Sequence, residues 1–191
     1  MDPILERYQA LEDKVAMYTP NLDTRRLYDA FTFADTAHHG QLRKSGEPYI
    51  IHPLAVAEIV ADLGLDVDSV IAALLHDCTK KLDLPQQLSL CRHYAIPLDE
   101  MERNYLKLLH SKTGAAVARD RFGVSNEIYN AIFYHTTGKA DMTLLEKIIY
   151  LADYIEPSRS FPGVEELRTA VHEDLDRGLC RALADSIVEL Q

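Results

Sequence analysis

Tryptophan is absent from this 191-residue chain, and only 3 cysteines occur in it. Cys78, Cys91 and Cys180 are odd in number and lack the close pairing of a metal finger, which excludes a disulfide framework and a thiolate zinc site and fits a reducing compartment. Apolar runs are short as well. No stretch approaches the ~18 apolar residues that span a bilayer, and Asp2 and Pro3 stand where a secretory leader would carry basic and then apolar residues. A cytoplasmic protein with no membrane partner is expected. Positive charge is in deficit, with 20 Lys and Arg against 30 Asp and Glu, a formal net charge of -10. Such a field repels nucleic-acid backbones, so no nucleic-acid partner is expected, whereas a small anion remains bindable where local cations override it. Alternating apolar and polar residues, internal repeats and low-complexity segments are also lacking, which leaves an all-α chain.

What is present is helical spacing. Asp2 and Pro3 cap a first helix with Ile4, Tyr8, Leu11, Val15 and Tyr18 on one face. A second follows Asp23, with Leu27, Ala30, Phe31 and Ala34 inward as far as Gly40. His38 and His39 fall in its last turn, where the helix dipole favours an imidazolium, so they read as capping residues. Periodicity lapses between Gln41 and Ile51, and Arg43-Lys44-Ser45 is the most basic spot of the first half. His52-Pro53 opens a third helix, and Asp66 or Asp68 caps a fourth that ends in Leu74-Leu75-His76-Asp77, with Thr79, Lys80 and Lys81 leaving the core. Further helices are predicted from Pro85, from Met101 to His110, from Lys112 to Phe122, from Ser125 or Asn126 to Tyr134, and from Thr143 to Ile155, followed by one or two terminal helices. One domain over 1–191 is expected, the helices of 1–50 being appended to a metal-binding core over 51–191. Apolar positions on the first two helices would let two copies pair as a homodimer.

The chemistry concentrates at His76-Asp77. An imidazole and a carboxylate side by side at the end of an apolar helix can hold one divalent cation, or two that share the carboxylate. His52, His110, His135 and Asp153 each lie at the end or on the apolar face of another predicted helix, a donor supply suited to metal-assisted phosphate chemistry. Cys78 reads as packing, because a soft thiolate is not needed beside hard phosphate oxygens.

In this order these residues resemble the HD-domain phosphohydrolase superfamily, which implies an all-helical bundle around a central metal site. Two branches are represented. The stretch Ala37-His38-His39-Gly40-Gln41-Leu42-Arg43-Lys44-Ser45-Gly46-Glu47-Pro48-Tyr49-Ile50-Ile51-His52-Pro53 is similar to the hydrolase domain of the RelA/SpoT alarmone enzymes. That likeness implies a metal-ligand role for His52 and nucleotide contacts for Arg43, Lys44 and Ser45. The Glu-Asp pair that assists hydrolysis in those enzymes is missing, since His76-Asp77 is followed by Cys78-Thr79-Lys80-Lys81. From Leu74 onward the chain instead resembles the YqeK-type symmetrical diadenosine tetraphosphate hydrolases, through Leu74-Leu75-His76-Asp77-Cys78-Thr79-Lys80, Leu108-Leu109-His110, Tyr134-His135-Thr136-Thr137-Gly138 and Ala152-Asp153-Tyr154-Ile155-Glu156-Pro157-Ser158-Arg159. The chain reads as a mosaic joined at His-Asp. The second likeness implies one divalent metal on His52, His76, Asp77 and Asp153, and a second on His110 and His135 with Asp77 bridging. Iron is expected, with manganese as the alternative. It also implies a catalytic part for Asp77 and Lys80, and nucleotide contacts from Lys80, Thr136, Thr137 and Arg159. The activity implied is cleavage of diadenosine tetraphosphate into two ADP. Alarmone (ppGpp) 3'-pyrophosphohydrolysis and a non-catalytic, metal- and nucleotide-binding helical domain stand as alternatives.

Overall fold

A computed structural model describes the backbone of residues 2–189, and the described residues form ten helices with no strand. The helix α4, Val67–Leu75, is the axis of the bundle. Eight consecutive residues, Val70 to Asp77, are wholly buried, so beyond its first turn this helix has no solvent face and must be wrapped on every side. Its neighbours are α2 (Thr24–Ala37), α3 (Ile51–Asp62), α6 (Leu106–Phe122), α7 (Asn126–Tyr134) and α8 (Leu144–Ile155). The helix α1, Pro3–Tyr18, lies outside on α3 and α2, burying Tyr8, Leu11 and Val15, and the Tyr8 ring stacks on Phe31 at 4.3 Å between centroids. The apolar faces of both N-terminal helices are therefore covered by their own bundle, although Met17 on α1 is exposed.

Starts and stops follow local chemistry. The side chains of Asp2, Asp23, Asp66, Asp83, Ser125 and Thr143 each accept a backbone N–H at a helix start, and Asp83 and Thr143 complete capping boxes with Gln86 and Glu146. The short α5, Leu84–His93, packs on α6. A second apolar cluster, with Tyr150, Leu151, Leu167, Leu179 and Ala182, holds α9 (Val164–Glu173) and α10 (Leu175–Glu189) against α8. Gly178 lets α10 approach α9, because a Cβ there would lie 2.8 Å from the Cα of Val171.

Three expectations change. The two helices predicted around His110 are one, α6, which begins at Leu106. Residues 100–104 form turns instead, held by reciprocal bonds between Asp99 and Glu102, and Met101 and Tyr105 are exposed rather than inward. Thr79 does not leave the core. It is 4% exposed, donates from Oγ1 to the carbonyl of His110 at 2.9 Å, and accepts from Gln87 at 2.6 Å on its own carbonyl. These bonds fasten the turn after α4 to α6 and to α5. Finally His38, which does follow α2 as its C-cap, is buried against the Tyr49 ring, with Nδ1 2.9 Å from Gln41 Oε1. Burial lowers its pKa, so its role is packing rather than a charge at the helix dipole.

Candidate metal centre

Six of the residues singled out in the sequence meet at the C-terminal end of α4. His76 is the C-cap of α4 and His135 the C-cap of α7. Both rings are aimed the same way, with Nδ1 against the carbonyl three residues back: Ala73 at 2.6 Å for His76 and Ile132 at 2.7 Å for His135. A carbonyl only accepts, so Nδ1 carries the hydrogen and the Nε2 lone pair faces inward. His52, in the first turn of α3, points Nδ1 at Glu156 Oε1, 3.2 Å away. His110 enters from the second turn of α6.

The imidazoles form two pairs about one carboxylate. His52 Nε2 and His76 Nε2 are 3.2 Å apart, and so are His110 Nε2 and His135 Nε2. Asp77 lies between, with Oδ2 at 3.5 Å from His52 and 3.6 Å from His76, and Oδ1 at 3.1 Å from His110 and 3.5 Å from His135. Asp153, late in α8, closes the first pair, Oδ1 being 2.9 Å from His52 Nε2 and 3.8 Å from His76 Nε2. Donor atoms from His52, His76 and Asp77, from His76, His135 and Asp153, and from Asp77, His110 and His135 each group within 4.8 Å.

This arrangement fits cations on its own terms. Paired lone pairs at 3.2 Å repel unless positive charge lies between them, and Asp77 Oδ1 is buried without a hydrogen bond. Burial would raise the Asp77 carboxyl, but Lys80 and the surrounding imidazoles hold it well below the usual carboxylate range. Asp153 is likewise lowered, against burial, by Arg159 and by His52 and His76. For His52 burial acts downward, yet Asp153, Asp77 and Glu156 push its pKa up to about 10, so without a cation a proton takes that place. Burial lowers His110, leaving it neutral and ready to donate a lone pair. The Cys78 thiol is pushed up to about 12, first by burial and then by Asp77, which leaves it inert.

Positive side chains mark the mouth. Lys80 Nζ lies 2.9 Å from Asp77 Oδ2, Arg159 binds Asp153 through Nη2 and the Asp153 carbonyl through Nε at 2.8 Å, and both side chains remain 33% exposed. Thr136 Oγ1 is 3.4 Å from the Nε2 atoms of His110 and His135. The other residues marked for substrate sit differently. Arg43 reaches Glu156 through Nη2 at 2.8 Å and keeps Nη1 buried without a hydrogen bond. Lys44 and Ser45 are exposed, Ser45 bonding Glu47, and Thr137 bonds the carbonyl of Gly138. A surface groove of about 590 Å³ between α2 and α6, lined by Arg26, Phe33 and Arg121, contains none of the cluster residues.

Two residues escaped the sequence reading. Tyr49 donates to Asp77 Oδ2 at 2.8 Å, and Glu156 bonds His52. Glu156 did leave a signal: a carboxylate at the C-terminus of α8 opposes the helix dipole and calls for cationic or donor partners.

The HD domain family model matches residues 49–158, which span every member of the cluster. The chain belongs to the HD-domain family. A relative from Halalkalibacterium halodurans, a symmetrical bis(5'-nucleosyl)-tetraphosphatase, is 39% identical over 145 residues, covering 73% of this chain and 77% of that protein. The bifunctional (p)ppGpp synthase/hydrolase RelA of Mycobacterium tuberculosis is 47% identical over 76 residues, 40% of this chain and 10% of its own length. Both resemblances read in the sequence are thus present, the second over a shorter stretch. Among solved HD structures, a predicted HD superfamily hydrolase involved in NAD metabolism from Clostridium acetobutylicum superposes with a TM-score of 0.74 at 36% identity, covering 85% of this chain and 86% of that one.

Proposed function

We propose that this chain is a cation-dependent phosphohydrolase that cleaves diadenosine tetraphosphate at its central anhydride and releases two ADP. The observation that carries the reading is the division of Asp77, whose Oδ2 faces the His52 and His76 pair and whose Oδ1 faces the His110 and His135 pair. In the first group Asp153 joins His52, His76 and Asp77; in the second Asp77 is shared with His110 and His135. Divalent cations held there would polarise a phosphate and lower the pKa of water towards neutrality. Imidazole and carboxylate donors without thiolate suit iron, with manganese as the alternative.

The remaining work falls to the protein's own groups. His76 and His135, fixed by backbone carbonyls, present Nε2 without rotamer search. Lys80 stays charged because Asp77 outweighs the burial that would lower it, so it offsets negative charge that builds on the phosphate under attack. Arg159, held by Asp153, and the Thr136 hydroxyl at the edge of the second pair are placed to bind the departing nucleoside diphosphate. Water adds to one inner phosphorus, the bond from that phosphorus to the bridging oxygen breaks, and the other half leaves as ADP. The symmetrical tetraphosphatase activity of the Halalkalibacterium relative supports this choice, as does Lys80 where an alarmone hydrolase would place acid.

Product analysis tests it. The chain, stripped and reloaded with manganese or ferrous iron, should convert diadenosine tetraphosphate to ADP alone. Formation of AMP with ATP, or pyrophosphate release from ppGpp in preference, would refute the assignment.

A further inference from the structure

Of the three cluster imidazoles whose Nδ1 is engaged, His52 is held differently. His76 and His135 donate to carbonyls three residues back, whereas Nδ1 of His52, in the first turn of α3, turns to a side chain. Its acceptor is the Glu156 carboxylate. It comes from the end of α8, where Asp153 and Glu156, one helical turn apart, take the two nitrogens of the same ring: Asp153 Oδ1 lies 2.9 Å from Nε2 and Glu156 Oε1 3.2 Å from Nδ1. Glu156 is wholly buried and is itself fixed by Arg43 Nη2 at 2.8 Å, by the Ser158 hydroxyl at 2.7 Å on Oε1 and by the Ser158 N–H at 2.7 Å on Oε2. A buried carboxylate with this many donors has one rotamer available.

We propose that Glu156 is the positioning residue that orients His52 for cation binding, and that Arg43 acts as the latch on Glu156. Arg43 lies in the basic loop before α3 and Glu156 at the end of α8, so the ion pair ties the alarmone-like half to the tetraphosphatase-like half at the one ligand that comes from the first half. Its guanidinium also balances a carboxylate that would otherwise be buried with a net charge. The inference rests on the reading of the cluster as a cation site, and it gives Arg43 a task other than gripping substrate.

Manganese titration of the metal-free full chain, followed by calorimetry, separates the two readings. Wild type should show two binding events. Glu156→Ala should weaken one by about 10- to 100-fold, the range for loss of a group that orients a ligating histidine, and leave the other at its wild-type affinity. A general loss of packing would weaken both. The downfield imidazole N–H resonance of His52 should also vanish in Glu156→Ala while those of His76 and His135 stay. If Glu156→Ala does not fold, Arg43→Met decides, since it keeps the acceptor but frees it to turn; the same single binding event should weaken, by less. Two unchanged binding events in either folded variant would overturn the inference and spare the cation site, whereas a wild-type chain that takes up no manganese would remove both.

Discussion

The Nε2 atoms of His52 and His76 face each other at 3.2 Å, while Nδ1 of each ring is already committed, to Glu156 and to the carbonyl of Ala73. Two neutral rings so held cannot bond one another, and charge must enter between them. In the metal-free chain that charge is a proton, because His52 titrates at about 10.

Cation binding should therefore expel a proton. Between about pH 7 and pH 10 the affinity should rise with pH, with release of roughly one proton per chain at the lower end. Calorimetry in buffers of different ionisation enthalpy measures this. No proton release at about pH 7 would mean that His52 is not displaced from its proton by the cation.

Removing the shared carboxylate should affect both pairs. Asp77→Ala should abolish uptake at the two groups together and lower kcat by roughly 1000-fold or more, since cation catalysis supplies several kcal/mol. Metal content and steady-state rates give the answer. Loss of a single cation with the other retained at full occupancy would contradict sharing.

Lys80→Met should leave cation content near the wild-type value and lower kcat by roughly 100- to 1000-fold, the range seen when one preorganised positive or donor group at a reacting oxygen is lost. A change confined to KM would place Lys80 on bound substrate without a preference for the transition state.

Acid should destabilise the metal-free protein in a set direction. Glu156 is lowered against burial by His52, Ser158 and Arg43, from an ordinary value of 4.5, and Asp77 and Asp153 are lowered from 3.8. A depressed folded-state pKa contributes stability that is complete above the unfolded value and disappears as pH falls towards the folded one. The melting midpoint followed by circular dichroism should decline below about pH 4, and because the raised His52 pKa contributes stability that is complete below 6.5 and lost towards about 10, it should fall again as pH rises through that window.

Away from the cluster, Gly178→Ala should cost roughly 1–3 kcal/mol of stability through its contact with the Val171 backbone, with kcat per folded molecule unchanged. Urea denaturation together with rate measurements checks both parts.

Much of this was legible in the residues. The all-α fold followed from recurrent helical spacing and the lack of alternating strand patterns, and α4 announced itself by an apolar run ending in His76-Asp77. Proline, glycine and the Asp, Ser and Thr caps placed most helix ends to within a residue or two. The start of α6 was missed because Asp99 and Glu102 satisfy a capping pattern that the following residues do not continue into a helix. His38 caps α2 as its position implies, but its burial is imposed by the ring of Tyr49, a neighbour across the loop that helix position alone does not predict. Tyr49 and Glu156 went unmarked for a similar reason. Their partners, Asp77 and His52, are 28 and 104 residues away, and spacing rules along a single helix carry no information about such pairs.

An anomalous-scattering map from crystals of the manganese-loaded chain tests the central claim most directly. Two peaks flanking the Asp77 carboxylate, one against His52, His76 and Asp153 and the other against His110 and His135, are the expected result. A loaded crystal with no peak at Asp77, or with manganese bound only elsewhere, would contradict it.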